Sequence, residues 1–259
     1  MSQHTPKILL FLILFCLPNF VFGQQQTPQK EWSIRAGIHK VVFKDLNYAP
    51  FQYQGNGTTI AVGNQRNTKR RDILQFQAAF ASATIKSEFS RFTETPNVNI
   101  QLQLGYLFRL SNQGSKLQYH LGGSLRSNIN YNNYDEFEAV TYFNLHTVNI
   151  AASINYQLSA KSMLRGQLTL PLFGISVRPP LTGWDHTINT TAPLTLLYKG
   201  DLAIIGNFIA LASQLTYSYQ LSQKMNIQVH ALSHYQHTKK TNAFSSAAVQ
   251  LAIGLNFKF

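Results

Sequence analysis

The chain has 259 residues, with 22 Lys and Arg against 10 Asp and Glu, a formal net charge of +12; only 12% of it is charged, while 44% is hydrophobic and 12% aromatic. That much apolar and aromatic material excludes a disordered charged tail, and 15 Gly and 9 Pro exclude a collagen-like or low-complexity chain. A single Cys excludes a disulfide framework or a Cys-rich zinc site.

Residues 1–23 have the layout of a secretory signal peptide. Lys7 supplies the positive start, Ile8 to Leu17 is an unbroken apolar run, and Val21-Phe22-Gly23 precedes a cleavage point at Gln24. The run is short for a membrane anchor and ends at Pro18 and Asn19. Phe15 is bulky for lipoprotein processing at Cys16. Cleavage removes the one Cys, so the exported chain has no thiol chemistry to manage. Residues 24–30 form a Gln-rich leader, and 31–259 read as one domain without internal repeats.

From there the chain alternates apolar and polar residues, the period of a strand. Strands are expected at about 31–43 and 56–64, the second weakly patterned, with only Ile60 and Val62 clearly apolar. A basic turn follows, with Arg66, Lys69, Arg70 and Arg71, and then a strand at 72–86. The cleanest segment is 97–110: Val98, Ile100, Leu102, Leu104, Tyr106 and Phe108 share one face, and Asn97, Asn99, Gln101, Gln103, Gly105 and Arg109 share the other. Leu107 is its one exception. Further strands fall at 116–130, 141–158, 162–172, 203–221, 224–237 and 245–259. Short turns at 111–115, 159–161 and 222–224 alternate with longer links at 131–138, 171–200 and 238–243.

A one-sided strand fits either a soluble secreted β-sandwich or a membrane barrel with its apolar face in lipid. Three features favour the barrel. The polar faces hold Asn, Gln, Ser and Thr rather than the charges of a solvated surface. The segments are long enough to cross a bilayer at a tilt. The apolar face turns aromatic near the short turns, at Trp32, Tyr106, Phe108, Tyr119, Tyr156, Tyr217, Tyr219, Phe257 and Phe259, as a girdle at a membrane boundary would.

On these features the chain resembles the Gram-negative outer-membrane β-barrel proteins. The sharpest element is the last strand, 249–259, which alternates and ends on Phe. The resemblance implies an all-β fold: a transmembrane antiparallel up-and-down barrel of ten strands, with eight or twelve as alternatives. It implies an outer-membrane location, contact with outer-membrane lipids, and Leu255, Phe257 and Phe259 as the signal read by the barrel-assembly machinery.

The inward face is expected to carry Arg35, His39, Arg109, His120, Arg126, Arg165, His230, His234 and Lys258, with acids confined to loops and strand ends. Same-sign charges behind a low-dielectric wall favour anions, so an anionic ligand is the expected partner unless acidic loop residues neutralise them. His230 and His234 lack a carboxylate or Cys that would complete a metal site, and no metal or other cofactor is expected. Nothing points to nucleic acid, since the basic run lacks an aromatic platform. The loop at 171–200 offers Arg178, Trp184, Asp185 and His186 as contact residues.

The expected role is a non-catalytic binding or structural barrel, or a narrow pore. The alternative is a membrane-embedded lipid hydrolase. It is weakly served by Ser233 beside His234, which alternation places on opposite faces, or by Ser124 with His120, which lack a third member.

Overall fold

A computed structural model describes residues 30–46, 49–68, 70, 72–87, 94–111, 115–134, 139–178, 200–204, 206–239 and 243–259, with side chains at 49, 50, 134, 139 and 140 left aside. The expected signal peptide and most of the Gln-rich leader lie outside these residues. So do Trp184, Asp185 and His186.

The strands are β1 (Lys30–Asp45), β2 (Ala49–Asn67), β3 (Ile73–Ser87), β4 (Thr95–Arg109), β5 (Leu117–Tyr134), β6 (Ala139–Gln157), β7 (Ser162–Val177), β8 (Asp201–Ile204), β9 (Phe208–Gln220), β10 (Met225–Thr238) and β11 (Phe244–Lys258). Every pairing is antiparallel, each strand beside its sequence neighbour, except that β7 pairs with both β8 and β9. The ring closes where β1 meets β11, from Glu31↔Lys258 to Asp45↔Phe244. Closure matters because lipid offers no partner to an unpaired strand edge. Following paired residues once around, the register climbs by roughly twelve residues, which tilts the strands by roughly 40°.

The expected ten-strand wall is present, with three corrections. The strand expected at 56–64 is β2, and it runs over Ala49–Asn67, so the link between the first two strands shrinks to residues 46–48. Its weak pattern comes from Gly55 and Gly57, whose missing side chains let the β3 backbone approach: a Cβ on Gly57 would lie 1.8 Å from the Ser82 carbonyl oxygen. The strand expected to end at 172 continues to Val177 across a bulge, where Val148 faces Phe173 and Asn149 faces Pro171, leaving Leu172 extra. The expected 203–221 strand is broken in two. β9 pairs with β7 as far as Thr169↔Ala212, and β8 resumes at Phe173↔Ile204. Gly206, at φ 114°, makes the turn between them. The interruption falls at Pro171, which has no N–H for a ladder.

The apolar stripe faces out. Ile34, Ile38, Leu104, Leu125, Leu215, Leu251 and Ile253 are all exposed on the wall, as is expected of a lipid-facing surface and not of a sandwich core. The aromatic residues at the termini end follow suit: Trp32 pairs in register with Phe257, and Tyr119, Tyr156, Tyr217 and Tyr219 are exposed. Leu107, the exception to alternation, points inward and packs with Ile73 and Ala151 at one level of the lumen.

Gly37 sits on the closing seam, and a Cβ there would lie 2.0 Å from the Leu251 carbonyl oxygen. Gly37→Leu is expected to weaken ring closure by about 1–3 kcal/mol through overpacking. The faster-migrating unheated band in detergent gels should fade, and the urea midpoint in micelles should fall. An unchanged midpoint would contradict the close approach at this seam.

Candidate functional site

The lumen divides into two unlike halves. At the end where β7 stops at Val177 it is filled by side chains: a hydrocarbon cluster lies beside a buried polar network, in which Asn97 Nδ2 donates to Asn132 Oδ1 at 2.6 Å and Asn132 Nδ2 to Thr141 Oγ1 at 3.1 Å. Val41, Phe43, Tyr53, Ile85, Phe143, Leu145, Phe208 and Phe244 form one cluster inside the barrel, with Ile85 fully buried. Phe143 stacks on Phe244 at 4.2 Å between centroids, and Phe43 on Tyr53 at 5.4 Å. This corrects the expectation of a polar interior throughout. Alternation assigns a face, but it does not say which inward positions stay wet. Where rings from β1, β2, β6, β9 and β11 meet across a narrow lumen they exclude water, at roughly 1.5–3 kcal/mol of burial each.

Over this plug lies an ion pair: Arg178 donates to Asp45 Oδ1, and both side chains are 6% exposed. The Arg178 guanidinium stands 5.4 Å from the centroid of Phe244 and 6.0 Å from that of Phe143. Arg178 is therefore a seal for the plug, not an exposed loop contact as its position in the sequence suggested.

At the termini end a cavity of about 450 Å³ opens. Strand-end residues Glu31, Asn226 and Lys258 and the turn residue Thr68 are among its lining, so it gives onto the mouth beside the chain termini; no plug residue lines it. Its walls are amides and hydroxyls interleaved with Arg35, Arg165, His120 and His230. Arg165 donates from Nε to Asn155 Oδ1 at 2.8 Å and reaches Gln65 on the opposite wall. Gln75 and Gln167 also meet across the lumen, at 3.5 Å.

Arg35 is held differently. Its Nη1 lies 3.4 Å from His230 Nδ1, which also receives Thr216 Oγ1 at 3.0 Å and Gln214 Nε2 at 3.3 Å. An arginine guanidinium and a glutamine amide nitrogen only donate, so Nδ1 is the acceptor. The ring proton then sits on Nε2 and is given to Gln228 Oε1 at 3.1 Å. Arg35 is 7% exposed, and its Nε is buried without a partner. Its stem lies over Gly254, where a Cβ would come within 2.5 Å of Arg35 Cγ.

The other expected inward residues spread along the lumen. Lys258 faces Glu31 in register at the mouth. Arg109 is at the termini-end rim, where its backbone N–H donates to Asp72 Oδ1 at 3.0 Å and its Nε to Ser111 at 3.3 Å. Arg126 and His234 line one small void above the cup, and Gln101, with its amide oxygen turned inward, accepts from Arg126 Nε at 2.7 Å. His39 is buried on the wall between Arg35 and the plug, with neither ring nitrogen partnered. Leu255, Phe257 and Phe259 are exposed on the outer face.

Sequence reading missed two features. Glu31, an acid at a strand end not expected to serve the lumen, points inward and accepts from Asn256 Nδ2 at 2.7 Å. On the outer wall, Ser127 Oγ and His146 Nδ1 lie 2.9 Å apart. That pair spans two strands in direct register, so only the β5–β6 register reveals it. Of the expected Ser–His candidates, Ser233 bonds Ser213 at 2.7 Å on the outer face, and Ser124 receives Asn149 Nδ2. Among the described residues no group of three or more His, Cys, Asp or Glu could hold a metal.

No protein-family model matches the sequence, and no curated protein matches it. Solved structures do match in shape. The outer membrane protease OmpT of Escherichia coli superposes with a TM-score of 0.53 at 8% identity, covering 93% of this chain and 99% of that one. The transport unit of the autotransporter AIDA-I of Escherichia coli follows at 0.41 and 8%, covering 95% and 94%. Neisserial surface protein A gives 0.36 and 11%, covering 88% and 97%. The fold is thus that of a Gram-negative outer-membrane β-barrel, and at such identity the likeness is one of fold alone.

Asp45→Ala would leave Arg178 buried among aromatic rings without its carboxylate. The expected cost is roughly 3–5 kcal/mol, measured by urea unfolding in detergent micelles. A change under about 1 kcal/mol would mean the pair does not hold the plug.

Proposed function

We propose that this protein is a non-conducting outer-membrane barrel whose basic, amide-lined cup binds a small anionic solute from the periplasmic side. One observation carries the reading: the loop-end half of the lumen is a stacked hydrocarbon plug, while the polar cavity lies wholly on the other side of it. A water-filled pore needs a continuous open path, and a lumen packed at this end with stacked rings, Phe143 on Phe244 at 4.2 Å, and hydrogen-bonded amides argues against one. Among the charged residues lining the cup, Arg35, Arg165 and Lys258 face one carboxylate, Glu31. That imbalance behind a low-dielectric wall draws in anions. The expected signal peptide and the terminal Leu255, Phe257 and Phe259 fit export and insertion by the barrel-assembly machinery, with both termini periplasmic.

In planar bilayers the purified protein is expected to give no steady conductance. The triple variant Phe43→Ala, Phe143→Ala, Phe244→Ala should open discrete steps, with reversal potentials in a salt gradient showing anion preference. Ohmic steps from the unaltered protein would end this reading, and cation preference in the opened variant would remove its electrostatic part.

A second reading, lipid-ester hydrolysis, has one observation in its favour. Ser127 and His146 meet on the lipid-facing wall, toward the loop end, near the exposed Tyr131. There His146 would take the Ser127 proton as Oγ attacks an ester carbonyl. β5 and β6 are paired on both sides at this level, so their backbone N–H groups are committed to the ladders, and an oxyanion would have to be met by a side chain. A polar pair in the wall also satisfies itself without any reaction. Incubation with mixed phospholipid and lipopolysaccharide vesicles is expected to release no fatty acid. Release that Ser127→Ala abolishes would reverse the ranking of the two readings.

A further inference from the structure

Resting on the reading of the cup as an anion site, we infer its ligand class: a polyhydroxylated compound with one anionic group, a sugar acid or sugar phosphate, seated with that group on Arg35. Arg35 is a buried cation whose recorded partner is a neutral imidazole, and its Nε is aimed at no acceptor. His230 spends its one ring acceptor on holding that head in place, so it is a positioning residue. Beside the head the missing Cβ of Gly63 makes room for Ser33: a Cβ there would stand 2.7 Å from Ser33 Oγ and 3.9 Å from Arg35 Nη2. A guanidinium with an unpartnered donor and a fixed stem, on the wall of a polar cavity, suits a carboxylate or phosphate oxygen.

The remaining wall says what the rest of the ligand must be. Gln65, Gln75, Gln167, Gln214, Asn155 and Asn226 line the cup. Each primary amide offers both donors and acceptors, which matches a hydroxyl group, itself both. A hydrocarbon ligand would strand those amides unpaired. A nucleotide would want a stacking ring, but Phe76, an aromatic member of the lining, turns out to the lipid side at 43% exposure. Ile73 and Met163 supply a small apolar patch for the C–H face of a ring. Three cations against one carboxylate leave a surplus of two positive charges, which a single carboxylate or a phosphate group can meet. The 450 Å³ cavity falls in the range of small-molecule sites and holds one or two sugar rings with water.

The test is calorimetric titration of the full mature chain in detergent with D-glucuronate, D-glucose 6-phosphate, D-glucose and acetate. Binding of glucuronate or the sugar phosphate at least tenfold tighter than glucose and acetate is expected, the stronger of the two telling carboxylate from phosphate. Arg35→Gln should weaken that binding at least tenfold, whereas Lys161→Gln, in an exposed turn near the mouth, should leave it unchanged. Gel migration with and without heating confirms that each variant is folded. Acetate binding as tightly as the sugar anions would overturn the hydroxyl part of the assignment. Absence of sugar-anion binding to folded protein, or indifference to Arg35→Gln, would overturn the assignment itself. Bilayer recordings on the same preparation keep the two failures apart: a silent barrel that ignores sugar anions loses only its ligand, whereas a conducting one loses the cup reading beneath it.

Discussion

The structure depends on the absence of a hydrogen-bonding solvent around its wall. Each backbone N–H and C=O in a hydrocarbon environment needs a partner within the protein, at several kcal/mol for each one left unmet. A sheet meets that demand only by closing on itself, and here the β1–β11 seam completes the circle over the whole length of both strands. Alternation then has a fixed meaning. Residues on the outer side must be compatible with acyl chains, and most polar side chains turn to the lumen, the self-paired Ser127–His146 and Ser213–Ser233 excepted.

The lumen is where the protein has latitude, and it uses it unevenly. The half away from the termini is filled by packing: aromatic rings from four strands stack and Phe208 joins their cluster, under an Arg178–Asp45 pair whose charges are hidden from water. The inner half is left open, crossed by amide and guanidinium contacts such as Gln75 to Gln167 and Arg165 to Gln65. These two fillings have opposite physics. The plug gains from excluding water, and the cup holds its cations only because water or a ligand can reach them. On the proposed reading, a barrel built this way offers one accessible chamber rather than a channel.

The wall was legible because lipid enforces a strict period of two. Residues 97–110 showed it almost without error, and β4 lies where they placed it, with the same faces. The exception, Leu107, proved to be an inward core residue, and the same substitution of apolar for polar on the inward face marks the plug at Val41, Phe43, Phe143 and Phe244. β2 was underestimated because Gly55 and Gly57 carry no hydrophobicity to count, although their smallness is what lets β3 approach. The β8–β9 break was invisible because alternation continues on both sides of Gly206.

The sequence alone determined that the chain forms a closed wall of about ten strands with its greasy face outward, since that periodicity is local and each residue reports its own face. It also named the inward basic residues. The tertiary structure decided which of them share a chamber: Arg35 and Arg165 in the cup, Arg126 and His234 above it, and Arg178 on the plug. It also brought Ser127 against His146 and placed Glu31 at the mouth opposite Lys258. Those relations depend on register and on distances across the lumen, and no local pattern encodes how far one strand has slipped past another.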